Sequence, residues 1–367
     1  MTTDAASREI CTTCGANLEW DPGAGALKCV ACTGLRAVGE DGAGSESIVE
    51  HDLAAMLRSA KPRGALAPKA RQVRCSECGA EVIFAGAATA TRCDFCDSPS
   101  VLATDAQSDR HLPESLVPFA VARAAAGTAF STWQRRLWFR PSDLSARSVV
   151  AELRGVYLPY WTFDCEVDSR WTADAGHYYY VTESYSAQEN GKSVSRTRQV
   201  QHTRWVPSSG RRHDSWDDFL VCASRGLPEG LGGAAREFAT GALVPYAPEY
   251  LQGFAAEAYG IDLEPAWKSA ETKITATQKD RCARDVPGDT QRNLRARHAF
   301  SDTSFKHVLL PMWVMAYRYG SAGKVYRVLV NGQSGVVGGE APWSAGKIVA
   351  FVAALAGAAV LAWLALR

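Results

Sequence analysis

The chain has 367 residues, with 40 Lys plus Arg against 39 Asp plus Glu and 47% hydrophobic residues. An almost neutral, apolar-rich chain of this length is neither a disordered tail nor a collagen-like repeat nor a strongly basic nucleic-acid binder. Eight of its eleven Trp fall between Trp133 and Trp313, which places the largest core in the middle of the chain.

In chain order, the N-terminus has no apolar run behind a basic start and does not read as a secretory signal. Four CxxC pairs follow in two repeats. Cys11 and Cys14 precede Cys29 and Cys32 by 14 residues, and Cys75 and Cys78 precede Cys93 and Cys96 by the same 14. The match extends beyond sulfur at a constant offset of 64: Gly15 with Gly79, Ala16 with Ala80, Leu18 with Val82, Trp20 with Phe84, Lys28 with Arg92. This is a duplicated zinc ribbon, in which each CxxC turn presents two thiolates and a short hairpin joins the pairs into a tetrahedral four-cysteine site. A unit of about 30 residues buries too little apolar surface to fold alone, so the metal supplies the stability, on the order of 10 kcal/mol per site. Four protein ligands leave no open position, and two structural Zn2+ ions without hydrolytic chemistry are expected. Disulfides in a secreted module are the competing use of these cysteines. The absent leader and the repeated metal-type frame argue against them, and free thiolates require a reducing compartment. Cys165, Cys222 and Cys282 are scattered and read as buried small apolar residues.

The expected organisation is zinc ribbon 1 over 1–36, a linker with one short helix over 37–70, zinc ribbon 2 over 71–102, a second linker over 103–112, an α+β domain over 113–341 and an anchor over 342–367. In the first linker, Val49, Leu53, Met56 and Leu57 give one helical face over 49–60. In the large domain a helix is expected over 121–138, where Ala126, Phe130, Trp133 and Leu137 keep helical spacing and Arg140-Pro141 closes it. Residues 155–185 turn aromatic and β-branched and read as strands, with a turn at 189–192 and a returning strand over 197–206. The mixed-charge stretch from Arg211 to Asp218 reads as a solvated loop. A second long helix is expected over 263–286, ahead of Gly288, and paired strands over 305–319 and 324–330 ahead of the Asn331-Gly332 turn. The segments 156–161 and 308–313 share V-x-L-P-x-W, which admits two related β units or chance. The fold class is therefore α+β: two small four-cysteine zinc ribbons, an aromatic-rich domain with mainly antiparallel sheet, and a C-terminal helix.

That helix is announced by residues 348–366, nineteen consecutive uncharged residues between Lys347 and Arg367. At 1.5 Å per residue they span roughly 28 Å, close to a hydrocarbon core, so a single membrane span is the simplest reading. Ala accounts for eight of the nineteen and inserts weakly, which leaves a partner-covered helix as the alternative. One cation at each end gives no orientation, whereas the thiolates place the bulk of the chain in the cytoplasm.

The chain has no GxxxxGK[ST], no GxGxxG after a strand, no HExxH and no GxSxG, hence no ATPase, dehydrogenase, zincin or hydrolase signature, and no catalytic residue or small-molecule substrate is assigned. His177, His202, His298 and His307 stand singly and read as packed or surface residues. Nucleic-acid binding is the alternative function, but residues 10–36 sum to zero charge and 71–97 to −1, too little for phosphate-driven binding.

These features resemble a family of bacterial double-zinc-ribbon proteins anchored at the membrane by their C-terminus. The resemblance runs through the ribbons, Val117-Pro118-Phe119, Tyr160-Trp161-Thr162-Phe163-Asp164, Arg204-Trp205-Val206-Pro207, Leu243-Val244-Pro245-Tyr246 and Asn331-Gly332-Gln333-Ser334-Gly335. Such proteins are often labelled transcription-factor-B-type zinc ribbons or primosomal protein N′, a superfamily II helicase, although no helicase motif is present here. The resemblance implies a membrane partner of flotillin-like and phage-shock-type proteins in a cell-envelope stress system. It transfers only the eight zinc ligands, and all eight match. The expected function is thus a zinc-binding, single-pass adaptor or scaffold that recruits cytoplasmic partners, with the ribbons as two hairpins offered on linkers.

Overall fold

The computed structural model describes residues 10–38, 47–59, 71–78, 80–84, 93, 95, 101–105, 111–142, 149–150, 153–189, 192–227, 230–319 and 324–365. Cys96, Gly79, Arg92 and the expected turn residues Asn190 and Gly191 lie outside them. The elements in chain order are β1 (Leu18–Asp21), β2 (Ala26–Cys29), β3 (Leu35–Arg36), β4 (His51–Asp52), α1 (Leu53–Arg58), β5 (Arg71–Cys75), β6 (Glu81–Phe84), β7 (Val101–Asp105), β8 (Ser115–Leu116), α2 (Arg123–Arg136) and β9 (Val149–Val150). They continue with β10 (Arg154–Glu189), β11 (Lys192–Cys222), β12 (Val244–Pro245), β13 (Ala255–Glu257), α3 (Leu263–Asp285), β14 (Thr290–Tyr319), β15 (Lys324–Asn331), β16 (Val337–Gly339) and α4 (Ala345–Ala365). The fold is α+β, mostly antiparallel: β1 to β3 form a small sheet and the other thirteen strands a large one.

The large sheet is organised by β10, which pairs with β11 on one side and β14 on the other, both antiparallel. At about 3.3 Å per residue its 36 residues reach roughly 120 Å. Burial along this strand falls in three steps. From Val156 to Phe163 every residue is buried, as the unbroken apolar run Val-Tyr-Leu-Pro-Tyr-Trp requires of a strand covered on both faces. From Val167 to Ala173 burial alternates, with Ser169 and Trp171 inward and Asp168, Arg170 and Thr172 outward. Beyond Gly176 the third strand ends, and Tyr178, Tyr179 and Tyr180 are exposed on a two-stranded arm.

The half-covered stretch is roofed by α3, whose buried residues Leu263, Ala266, Ala270, Ile274, Gln278 and Cys282 recur every three or four positions and so share one face. The charges expected to form a solvated loop instead belong to β11 and fasten this helix. Asp214 accepts from Gln278 Nε2 at 3.0 Å and Arg281 Nη1 at 2.9 Å, while Arg212 pairs with Asp285 at 3.1 Å. Three bulges bend the ribbon, and each carries a non-glycine residue at positive φ: Asp218, Asn293 and Asp302. Asp and Asn tolerate that backbone best, and Asp218 N–H and Asn293 Nδ2 are held by Asp164 and Asp174.

The two V-x-L-P-x-W segments occupy equivalent positions in the structure. The two copies face each other across the β10–β14 ladder, Val156 opposite Met312 and Tyr160 opposite Val308. Each takes a short parallel strand on its far side, β13 beside Val156 and β8 beside Val308. The indole of Trp161 donates to Ile261 O and that of Trp313 to Val121 O, both at 2.9 Å, just before α3 and α2 begin. Main-chain bonds repeat as well: Ala223 N–H to Pro159 O matches Gly332 N–H to Pro311 O. Gly260 and Ile261 share Ala223 O as Ala120 and Val121 share Gly332 O. The two halves, short strand then helix then hairpin, are thus related by a local two-fold axis.

Segments expected to be linker are partly folded. Residues 51–52 add β4 to β14, and α1 is six residues long, with Asp52 Oδ1 accepting from Ala55 N–H at its start. Residues 101–105 form β7 against β5.

Candidate metal centres

Four thiols come together in the first ribbon, Cys11, Cys14, Cys29 and Cys32, with all ligand atoms within 4.8 Å of one another. The second ribbon brings together Cys75, Cys78 and Cys93 within the same limit; its expected fourth ligand, Cys96, lies outside the described residues. Among the described residues, turn hydrogen bonds of the first ribbon recur in the second at the offset of 64. Cys11 N–H donates to Ala16 O at 2.8 Å and Cys75 N–H to Ala80 O at 2.9 Å. Ala31 N–H points at Cys29 Sγ at 3.5 Å and Phe95 N–H at Cys93 Sγ at 3.4 Å. Gly15, at φ +73°, lets the first turn double back, and Thr33 takes φ +60° at the end of the second.

The donor set suits a thiolate-bound cation. Sulfurs about 2.3 Å from a common tetrahedral metal stand about 3.8 Å apart. Here Cys11 and Cys32 are 3.5 Å apart, Cys14 and Cys29 3.4 Å, and Cys78 and Cys93 3.6 Å. The backbone N–H groups of Thr13 and Cys14 hold the Cys11 thiol down at about 6, and those of Cys32 and Ala31 lower Cys29. Cys14 and Cys32 go the other way. The Ala16 and Gly34 N–H groups favour their thiolates, but the neighbouring thiols, Cys29 foremost, together with burial outweigh this, raising Cys14 and pushing Cys32 up to about 12. Four thiolates at such separations resist ionising together, and a bound dication removes that resistance.

Neither ribbon is a detached knob. In the first, Trp20 is buried, its indole donates to Phe119 O at 2.9 Å, its N–H donates to Gln252 O at 3.0 Å, and its ring packs edge-on against Tyr250. Cys14 and Cys32 remain on the outside, beside exposed Ile10, Val30 and Leu35. The second ribbon is continuous with the large sheet, since β6 pairs with β13 and Ala258 N–H donates to Glu81 O at 2.9 Å. Its Cys75, Cys93 and Phe95 share a core with Val156, Leu158 and Leu310. A cleft of about 900 Å³ runs between the first ribbon and the start of α2, lined by Lys28, Arg123, Arg154 and Trp313 among others.

Other polar clusters have internal partners. Asp164, Asp217 and Asp218 converge, but the Lys306 ammonium sits 2.9 Å from Asp218 and 2.9 Å from Glu50 and supplies the cation. The histidines stand singly in sequence, whereas in the fold Glu114 joins two of them: its carboxylate accepts His307 N–H at 2.7 Å and lies 3.1 Å from His51 Nε2. His307 Nδ1–H in turn reaches His111 O at 3.1 Å. Burial lowers His111, with His51 adding to the effect, and burial raises Glu114. Cys165 and Cys282 are buried as expected, with Cys165 pushed up to about 11 by burial; Cys222 is only half-buried.

At the C-terminus, α4 is long and apolar enough to cross a membrane, and every described residue from Ile348 to its end is exposed. Comparison with known proteins adds one relative. The chain is 26% identical to an uncharacterized protein, YdjG, of Bacillus subtilis (strain 168) over 269 residues, 72% of this chain and 73% of that protein. No family model matches the chain, and no solved structure matches it.

Proposed function

We propose that this protein is a zinc-binding, membrane-anchored adaptor that holds cytoplasmic partners at the membrane, in an envelope-stress setting of the kind the family resemblance implies. The observation that carries the reading is the join between its parts. A closed set of four thiols is stapled through Trp20 to a domain whose apolar C-terminal helix has no buried residue. Four thiol ligands with tetrahedral spacing favour Zn2+ in a structural role, and cysteines kept free for metal favour a reducing compartment for the domain. An apolar helix with no buried residue is stable in hydrocarbon and not in water. Docked ribbons act as fixed surfaces rather than tethered hooks. The outward face of the first, with Ile10, Val30 and Leu35, is the natural partner surface, and no catalytic residue is assigned.

The test is affinity purification of the native protein from gently solubilised membranes, with metal analysis and partner identification on one sample. About two zincs per chain with flotillin-like, phage-shock-type or other envelope proteins support the reading. Nuclease-sensitive retention of replication or transcription proteins refutes it.

A further inference from the structure

The chain carries a second feature suited to a bilayer, outside its apolar helix. The segment that leaves α2 folds back against the root of α4. Phe139 O accepts Ser344 N–H at 2.8 Å, Arg140 donates to Ala341 O, and the Arg140 guanidinium stacks 3.8 Å over the Trp343 ring. Ser344 caps α4, its carbonyl accepting from Ile348 N–H at 3.1 Å and its hydroxyl from Lys347 N–H at 3.4 Å, so helix and segment are joined at one residue. Trp138 and Phe139 then pack on Phe351, with ring centroids 5.8 and 5.2 Å away. Phe351 lies four residues beyond Lys347, the last charge before the apolar run, or about 6 Å along the helix axis. The two rings therefore stand level with the first turn of the uncharged stretch. Trp138 and Trp343 are nevertheless both 66% exposed, an unusual state for indoles on a soluble surface. Around them the ionisable residues of 131–142 and 340–347 are Arg135, Arg136, Arg140 and Lys347 against Glu340, four positive and one negative.

We propose that Trp138, Phe139 and Trp343, with the basic end of α2, form a lipid-docking platform that seats the domain on the headgroup layer of an anionic bilayer. Indoles favour that layer because one end is apolar and the other polar, and each Arg near it gains from anionic lipid. With the chain held at α4 and again at Trp138, the domain is fixed in orientation instead of swinging on a single helix. The proposal rests on the reading of α4 as a membrane span.

The test uses the full chain labelled with 5-fluorotryptophan in nanodiscs of phosphatidylcholine with or without phosphatidylglycerol, read by 19F NMR. Resonances are assigned by W138F, W343F and W363F, and a lipid with a nitroxide at headgroup depth serves as the probe. The expected result is broadening of Trp138 and Trp343 as well as Trp363 at the far end of α4, with Trp138 broadening strongest in the anionic discs. Arg135→Glu with Arg136→Glu should abolish the Trp138 broadening there and leave Trp20 and Trp363 unmoved. A sharp Trp138 beside a broadened Trp363 overturns the platform while the anchor stands. Sharp signals at both positions overturn the anchor and the platform with it. Equal broadening of Trp138 in neutral discs, or its survival in the double variant, overturns the anionic-lipid role.

Discussion

Leu158 lies directly across the β10–β14 ladder from Leu310, its own counterpart in the repeated V-x-L-P-x-W segment. The local two-fold axis passes between them, and both side chains are completely buried. Everything the two halves share is arranged about this pair, which makes the halves a natural experiment in equivalent substitutions. W161F and W313F each remove one indole donor from a carbonyl that precedes a helix, Ile261 O or Val121 O. Each should cost about 1–3 kcal/mol, and the two should agree within about 1 kcal/mol, as read from urea midpoints of the detergent-solubilised chain. A cost confined to one half would show that the symmetry does not extend to energetics.

Trp20 is the clasp of the first ribbon. W20A deletes a buried indole, its bond to Phe119 O and its contact with Tyr250, and should cost about 3–5 kcal/mol. Limited proteolysis should then cut around residues 22–25 while the large domain stays intact; resistance equal to wild type would place the clasp elsewhere.

The two candidate metal centres should differ in how their loss propagates. Cys11→Ser with Cys14→Ser should halve the bound zinc and unfold the docked ribbon alone. Cys75→Ser with Cys78→Ser should also halve the zinc but lower the melting temperature of the whole domain, because Cys75 lies in the core with Val156 and Leu310 and its ribbon supplies β6 to the sheet. Metal content and calorimetry on the same samples decide this, and equal melting shifts would contradict it.

Glu257 supplies a pH dependence of known sign. It is buried, and desolvation raises its carboxyl from 4.5 to about 7, against the hydrogen bonds from Ser224 and the Gly226 and Arg225 N–H groups. Between pH 4.5 and about 7 the native state holds a proton that the unfolded chain has released, so stability falls as pH rises through that window and is lowest above it. The loss amounts to about 3 kcal/mol at roughly 1.4 kcal/mol per tenfold change in protonation. Glu257→Gln should flatten this slope, raising stability at pH 8 and leaving it nearly unchanged at pH 4. An unaltered slope would assign the dependence to another group.

Lys306 should be intolerant of truncation. Its ammonium is almost fully buried between Glu50 and Asp218, and its pairing with those carboxylates overcomes the burial that would otherwise lower it. Lys306→Ala leaves Asp218 and Asp164 facing each other without a cation and should cost about 3–5 kcal/mol by denaturant unfolding. Adding Asp218→Asn should recover part of that loss.

The clustering of the thiols was legible because ligand spacing is local chemistry, and the bounds expected for α2 and α3 were close because a helical face repeats within a few residues. Strand type was legible at Tyr157 and Trp161 for the same reason. Strand length was not: the root of β10 pairs with residues as far away as Cys222 and Val314, beyond Gly176 the strand is continued by β11 alone, and bulges at Asp218, Asn293 and Asp302 reset the register on the way. Asp214 looked like a solvated charge because, apart from Arg212 two residues before it, its partners Gln278 and Arg281 are more than sixty positions away. Trp20 was readable as a packing residue, but its seat on Phe119 O, ninety-nine positions on, was not. The faint echo at Val156 and Val308 became a structural equivalence only when the fold brought the two segments face to face.

The gradient of cover along β10 makes it a cantilever. Its root is clamped on both faces, its middle is braced by α3 on one, and its last thirteen residues, roughly 40 Å, project as a two-stranded beam. A load at the tyrosine-bearing tip is carried by continuous backbone to Val156 and Tyr157. The strand clamped there, β13, also grips the second cysteine ribbon through β6, so the tip and that ribbon belong to one mechanical train.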